Sequence, residues 1–256
     1  MIINYLRQKM TAEIAIHAEG LTKQFGDFIA TNDISFDVFK GEIFGFLGAN
    51  GAGKTTAMRM LCGLSRPSRG KATVAGFDVG TQSEDVKRQI GYMSQKFSLY
   101  EDLSVKENIR FYGGIYGLSN QQIREKTDAI LKKLDLTDYV NAKVQSLPLG
   151  WKQKLAFSVA IIHDPQIVFL DEPTGGVDPV TRRRFWEMMY EAAAKGMTVF
   201  VTTHYMDEAE YCHRVSIMVD GKIAALDTPE NLKKQFGAAD MYEVFLKLAR
   251  EAKRSD

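Results

Sequence analysis

Residues 48–56 read GANGAGKTT, a match to the phosphate-loop pattern G-x-x-x-x-G-K-[ST] with Gly48 and Gly53 as its glycines, Lys54 as its lysine and Thr55 as its hydroxyl residue. The chemistry needs these residue types at this spacing. Glycines let successive backbone N–H groups turn inward on phosphate oxygens, and the helix that follows points its positive end at the same anion. Lys54 adds a charge, and Thr55 can ligate Mg²⁺. A glycine-rich turn that binds nothing is the plainer reading, and the flanks argue against it. FGFL before the loop reads as a buried strand and AMRMLCGL after it as a helix, which is the setting the motif requires. Asn50, Gly51 and Thr56 complete the expected nucleotide-contacting set.

The chain has 256 residues, 45% hydrophobic and 25% charged, which fits an ordinary soluble globular protein with a sizeable core. A formal net charge of +1 gives no electrostatic case for nucleic acid or an anionic membrane surface as the main partner. The two cysteines, Cys62 and Cys212, have no metal-ligand spacing and suggest no disulfide framework, as in a reducing cytoplasm. No apolar run approaches the roughly 18 to 20 residues that span a bilayer. MIINYLRQKM is too short and too polar for a secretory signal, so any membrane role is expected to come through a partner.

Working outward, residues 1–12 carry no pattern and read as an extension. From Ile14 to Phe44, alternating runs such as IAIHAEGL and ISFDVFKGEIF predict antiparallel strands. Phe25, in the turn KQFGDF, is either a core or turn aromatic or a residue that stacks on a nucleobase; spacing leaves both open. KATVAGFDV reads as a short strand pair, and IGYMS as a strand ending at Gln95. Helical character follows, with capping boxes at Ser104-x-x-Glu107 and Ser119-x-x-Gln122 and an apolar face of Ile123, Ile130, Leu131 and Leu134. A helical subdomain is therefore expected over about 96–160. QIVFLDE (166–172) and MTVFVTTH (197–204) read as strands covered on both faces. Asp178-Pro179 predicts a helix start and Thr228-Pro229-Glu230 another, with a helix also expected over 206–213 and a strand pair around VSIMVDGKIAAL. The fold class is thus α/β, a phosphate-loop core with an antiparallel β subdomain and an inserted α-helical subdomain.

A phosphate loop alone does not separate kinases, GTPases and transport ATPases. Asp171 ends a hydrophobic strand, where a carboxylate can hold Mg²⁺ through water. Glu172 directly after it can polarise an attacking water, which suits hydrolysis. A solvated strand end is the bland alternative, but two acids closing a buried strand in a phosphate-loop protein favour function. His204, at another strand end, can reach a terminal phosphate as a donor, although a lone histidine is more often structural.

With GANGAGKTT, Gln95 in GYMSQKFSLYEDLSV, LPLGWKQK (147–154), IVFLDEPTGGVDP (167–179) and VTTHYMDEAE (201–210) in this order, the chain resembles the ATP-binding subunit of an ABC transporter. The resemblance covers about 13–235, leaving 236–256 as a helical tail. Details around GLSRPSRG, EPTGGVDP and DTPENLKK look most like export-type subunits for drugs or lipids. The resemblance implies ATP and Mg²⁺ as cofactors and Phe25 as the adenine-stacking residue. It makes Gln95 the residue that senses Mg²⁺ and touches the transmembrane subunit, and Asp171 the carboxylate associated with Mg²⁺. Glu172 becomes the general base, His204 the switch histidine and Asp178 a contact between subunits. It also implies permease subunits and a second ATP-binding subunit as partners, on the cytoplasmic face of a membrane, with each ATP held between one phosphate loop and the opposite signature helix.

The signature itself departs. The family's Leu-Ser-Gly-Gly-Gln stands here as Leu147-Pro148-Leu149-Gly150-Trp151, and proline offers neither the hydroxyl nor the N–H of serine. Proline also simply starts helices well, and both readings hold together. One lost hydrogen bond to a charged group costs on the order of 1.5–3 kcal/mol, so paired with an intact partner the chain's own phosphate-loop site would be the competent one, while a homodimer would carry the change twice. Gly175 stands where serine is common, with no assignable consequence. An ATP-gated regulatory or assembly clamp with little hydrolysis is the alternative function. A ribosome- or DNA-directed ATPase is disfavoured, since no tandem domain, long coiled coil or basic extension is present.

Overall fold

The computed structural model describes residues 13–95 and 99–252; the expected extension at 1–12 and the last residues, 253–256, lie outside it. Two sheets organise the chain. The smaller is antiparallel, in the order β2-β1-β4-β5, from β1 (Ile14–Phe25), β2 (Phe28–Phe39), β4 (Arg69–Val74) and β5 (Phe77–Asp78). The larger has the order β10-β9-β3-β8-β7-β6, from β3 (Ile43–Gly48), β6 (Ile90–Met93), β7 (Ile167–Asp171), β8 (Thr198–Thr203), β9 (Arg214–Val219) and β10 (Lys222–Asp227). Its pairs are parallel except the edge pair β9 and β10.

Strand side chains alternate between faces, and here both faces are covered. Phe44, Phe46, Phe169 and Phe200 point to the side closed by the small sheet, with Phe36 of β2 packed among them. Ile43, Leu47, Val168, Leu170, Val199 and Val201 point to the side closed by helices. That two-sided burial explains why β3, β7 and β8 read as unbroken apolar runs.

The helices are α1 (Lys54–Leu61), α2 (Ser83–Gln89), α3 (Val105–Ile115), α4 (Asn120–Lys133), α5 (Leu149–Ala160), α6 (Pro179–Ala194), α7 (Pro229–Phe236) and α8 (Met241–Ala252). Both capping boxes form, at Ser104 with Glu107 and at Ser119 with Gln122. Two expected helices differ. Residues 206–211 form a 3₁₀ helix rather than an α-helix, a short connector in which Glu208 N–H reaches Tyr205 O and Cys212 N–H reaches Ala209 O before β9 begins. The carboxyl-terminal helix is two helices, because Gly237 closes α7 in the left-handed conformation (φ 55°). Among the described residues no helix is long and apolar enough to cross a membrane.

Register sets up the site. Leu47 lies opposite Thr203, and Asp171 opposite Thr202, so the carboxyl ends of β3, β7 and β8 are level, the edge where open α/β sheets place ligands. Phe200 touches four other rings at centroid distances of 5.2–6.3 Å. Phe200→Ala is therefore expected to cost about 3–5 kcal/mol of stability, read as a lowered denaturant midpoint.

Candidate functional site

Gly48 closes β3, and the chain turns through residues 49–53 into α1. Two glycines are there for space. A Cβ on Gly53 (φ 97°) would lie 2.2 Å from Ala30 O, and one on Gly48 would lie 2.6 Å from Met218 O. Gly53 is also the N-cap of α1, with no side-chain cap and no acid in the first turn. The helix thus offers its N-terminal N–H groups and positive dipole end to the loop without an internal competitor. Asn50, Gly51 and Thr55 are exposed at this turn, and Thr56 is half-buried.

Lys54 is 4% exposed. Its Nζ donates to Gly48 O at 2.9 Å and Ala49 O at 3.1 Å and stands 3.5 Å from Glu172 Oε1. Burial pulls its pKa below the usual lysine range, and the Glu172 charge pulls the other way. Asp171 is 3% exposed; its Oδ1 accepts from Thr202 Oγ1 at 2.7 Å and Thr55 Oγ1 at 3.2 Å. Burial pushes its pKa up, opposed by those two hydroxyls.

Glu172 does not continue β7. It turns into the left-handed region (φ 48°), held by its N–H to Thr202 O (3.2 Å) and Thr202 Oγ1 (3.1 Å). That turn aims the carboxylate back across the strand ends, where Gln95 Nε2 donates to Oε2 at 2.8 Å and His204 Nδ1 lies 3.1 Å from the same oxygen. The fold therefore gathers Lys54, Thr55, Gln95, Asp171, Glu172 and His204 around one point. Thr202 is the residue that sequence reading missed. A threonine in an otherwise apolar buried strand needs a partner, and VTTH carried that signal.

The remaining candidates sit elsewhere. Phe25 ends β1 rather than lying in the turn after it, 54% exposed, with Lys23 Nζ 5.2 Å from its ring centre. Pro148 is the N-cap of α5, its carbonyl accepting from the N–H groups of Trp151 (2.9 Å) and Lys152 (3.1 Å). Trp151 packs edge-on against Tyr139 at 4.9 Å, and Leu149 is exposed. Gly150 has an internal reason: a Cβ there would lie 2.6 Å from Thr181 Cγ2 of α6. Asp178 caps α6, accepting from Val180 N–H and Thr181 N–H at 3.0 Å and from Thr181 Oγ1 at 2.6 Å. Those bonds, the Thr181 hydroxyl foremost, hold its pKa below the usual carboxylate range. A cavity of about 140 Å³ is lined by residues of both regions, Gln95, Asp171 and Glu172 together with Leu149, Lys152 and Gln153.

The raised pKa of Asp171 carries a sign. Its contribution to stability is present below the unfolded pKa and lost as pH rises through the folded one. In the nucleotide-free chain, Asp171→Asn keeps an acceptor for both hydroxyls, so its melting temperature is expected to gain on the wild type between acid and neutral pH. A difference independent of pH would contradict the buried-charge account.

The model of the ABC transporter family matches residues 31–175. The chain is 49% identical over 223 residues to the probable multidrug ABC transporter ATP-binding protein YbhF of Escherichia coli (strain K12), covering 87% of this chain and 39% of that protein. It thus spans about two fifths of the length of that relative. It is 38% identical over 235 residues to the Nod factor export ATP-binding protein I of Rhizobium sp. (strain N33), covering 91% of this chain and 77% of that one. Among solved structures, the ATP binding subunit of an ABC transporter superposes with a TM-score of 0.82 at 28% identity, covering 91% of this chain and 99% of that one.

Proposed function

The chain belongs to the ABC transporter family of ATP-binding proteins, and from that premise we propose that it binds and hydrolyses ATP to energise a membrane transporter, an exporter by analogy with its relatives. The observation that carries the reading is the convergence of Lys54, Gln95 and His204 on Glu172. A carboxylate so held, beside a helix start open to phosphate, is placed to take a proton from water attacking the γ-phosphate. Lys54 and the N–H groups of residues 51–56 hold the phosphates, and an arriving phosphate replaces Glu172 as the anion beside Lys54. His204 donates toward the terminal phosphate. Phe25 offers an exposed ring for the adenine.

The residues also fit Mg²⁺. Thr55 Oγ1 and Asp171 Oδ1 face each other at 3.2 Å, and Gln95, whose Nε2 goes to Glu172, keeps its amide oxygen. Mg²⁺ takes few protein oxygens and completes its shell with phosphate and water, so so small a donor set suits it; when bound it would neutralise charge on the phosphates. The permease partner is supported by exposed apolar residues: Leu64 and Ile115 line a cavity of about 540 Å³ together with Tyr92, Tyr116 and His163, and Phe111, one turn before Ile115 on α3, packs edge-on against the exposed Tyr100 at 4.8 Å. Docking there would hold the chain at the cytoplasmic face of the membrane.

The altered signature favours a second subunit whose own signature is intact, since Pro148 starts α5 with no side-chain hydroxyl to offer. The same change is what the clamp reading rests on, in which ATP closes the dimer with little turnover. Single-turnover hydrolysis by the chain with its partner decides between them, and Glu172→Gln tests the base: ATP affinity is expected to hold while hydrolysis falls at least about a hundredfold, and full retained turnover would refute the base assignment. In the assembled complex, Pro148→Ser is expected to raise hydrolysis several-fold; an unchanged rate would show that this position does not limit either site.

A further inference from the structure

The loops that follow β7 and β8 are joined by a buried acid that the hydrolysis scheme leaves unused. Glu208 is 0% exposed. Its Oε1 accepts a 2.6 Å hydrogen bond from Thr174 Oγ1, and Arg182 Nε stands 3.6 Å from the same oxygen. Among the described residues its Oε2 and Arg182 Nε make no hydrogen bond. Arg182 also reaches Asp207 Oδ2 at 3.5 Å and lies 4.4 Å from the ring centre of Tyr205.

Three segments meet at this acid. Thr174 is two residues past Glu172, with Gly175 N–H bonded back to Glu172 O at 3.1 Å. Tyr205 follows His204, and its carbonyl accepts from Glu208 N–H at 3.2 Å. Arg182 is in the first turn of α6, its N–H on Asp178 O at 2.9 Å. A buried carboxylate with one hydrogen bond and a loose ion pair is costly, and packing alone is served as well by an apolar side chain of similar volume. What an apolar residue could not supply is a directed bond between two loops.

We propose that Glu208 is a positioning residue for ATP hydrolysis: through Thr174 it fixes the loop carrying Glu172 against the loop carrying His204, and through Arg182 it ties both to the start of α6. The inference rests on the reading of Glu172 as the base. A base must lie within about 2.6–3.2 Å of the proton it takes, and a displacement of about 1 Å costs on the order of a hundredfold in rate. Glu208 does not touch the phosphate-loop residues; it acts through the geometry of groups that do.

The test is single-turnover MgATP hydrolysis by the full chain in its assembled complex, with the ATP affinity measured alongside and each variant assayed below its own melting temperature. Thr174→Val removes the hydroxyl at nearly constant volume, and Glu208→Ala removes the acceptor. Both are expected to lose at least about tenfold in rate with ATP affinity nearly unchanged. Glu208→Gln, which keeps an acceptor for Thr174, is expected to recover most of that loss, a rescue that simple destabilisation would not give. If Glu208→Ala fails to fold, Thr174→Val and Glu208→Gln still decide. Wild-type rates in Thr174→Val, or a loss appearing as weakened ATP binding, would overturn this inference alone. A wild-type complex that binds ATP without hydrolysing it would overturn the proposed function and this inference together.

Discussion

Burial of the Lys54 ammonium is the constraint on which the site depends. An isolated charge at that depth is too costly to keep without acceptors and a counter-charge. The chain meets the need locally with the carbonyls of Gly48 and Ala49 and, across the sheet, with Glu172. The local acceptors come from the turn that leaves β3. The counter-charge has to come from elsewhere in sequence, and it arrives because β7 lies two strands away in a sheet whose carboxyl ends are level. Burial at the same edge makes Asp171 harder to ionise and Lys54 easier to neutralise. The pocket is therefore electrostatically expensive in the nucleotide-free chain, and any ligand carrying its own anionic oxygens can replace the internal carboxylate as the lysine's partner.

The architecture was legible where a single physical rule governed it. Two-sided burial makes β3, β7 and β8 apolar throughout, and their side chains do divide between a phenylalanine-rich face and an aliphatic one. The capping boxes at Ser104 and Ser119 formed because each side chain serves a nearby N–H, a contact within four residues that needs no tertiary help. The structure departs from the expected helices in two places. At 206–211 the chain must bury Glu208 and deliver Arg214 to its pairing opposite Phe44, and a tighter 3₁₀ helix does so. At Gly237 a local left-handed cap ends the helix that starts at Thr228-Pro229-Glu230.

Within the candidate site, residue types were readable and geometry was not. Lys54 announced itself in the phosphate-loop motif and Asp171, Glu172 and His204 at or just past strand ends, yet nothing in IVFLDEPT shows that Glu172 leaves the strand with φ 48°. That turn decides what the carboxylate meets. Thr202 shows the complementary blindness. Its hydroxyl donates to Asp171 and accepts from Glu172 N–H, so one side chain orients two neighbouring acids, but only strand pairing reveals that it stands opposite Asp171.

Gly150 shows how one position can answer to two demands. By resemblance this stretch is the signature with Pro148 and Leu149 in place of serine and glycine, a likeness that cannot by itself account for Gly150. Packing within the chain can, since any side chain there would strike Thr181, the residue whose hydroxyl and N–H complete the Asp178 cap. The start of α5 and the start of α6 are thereby locked together at van der Waals distance, and Gln153 of α5 adds a hydrogen bond to Gly175 O at 3.2 Å. Pro148 and Leu149 are exposed and take no part in that contact. The helix start can therefore change its exposed residues while keeping its place against the loop that follows Glu172.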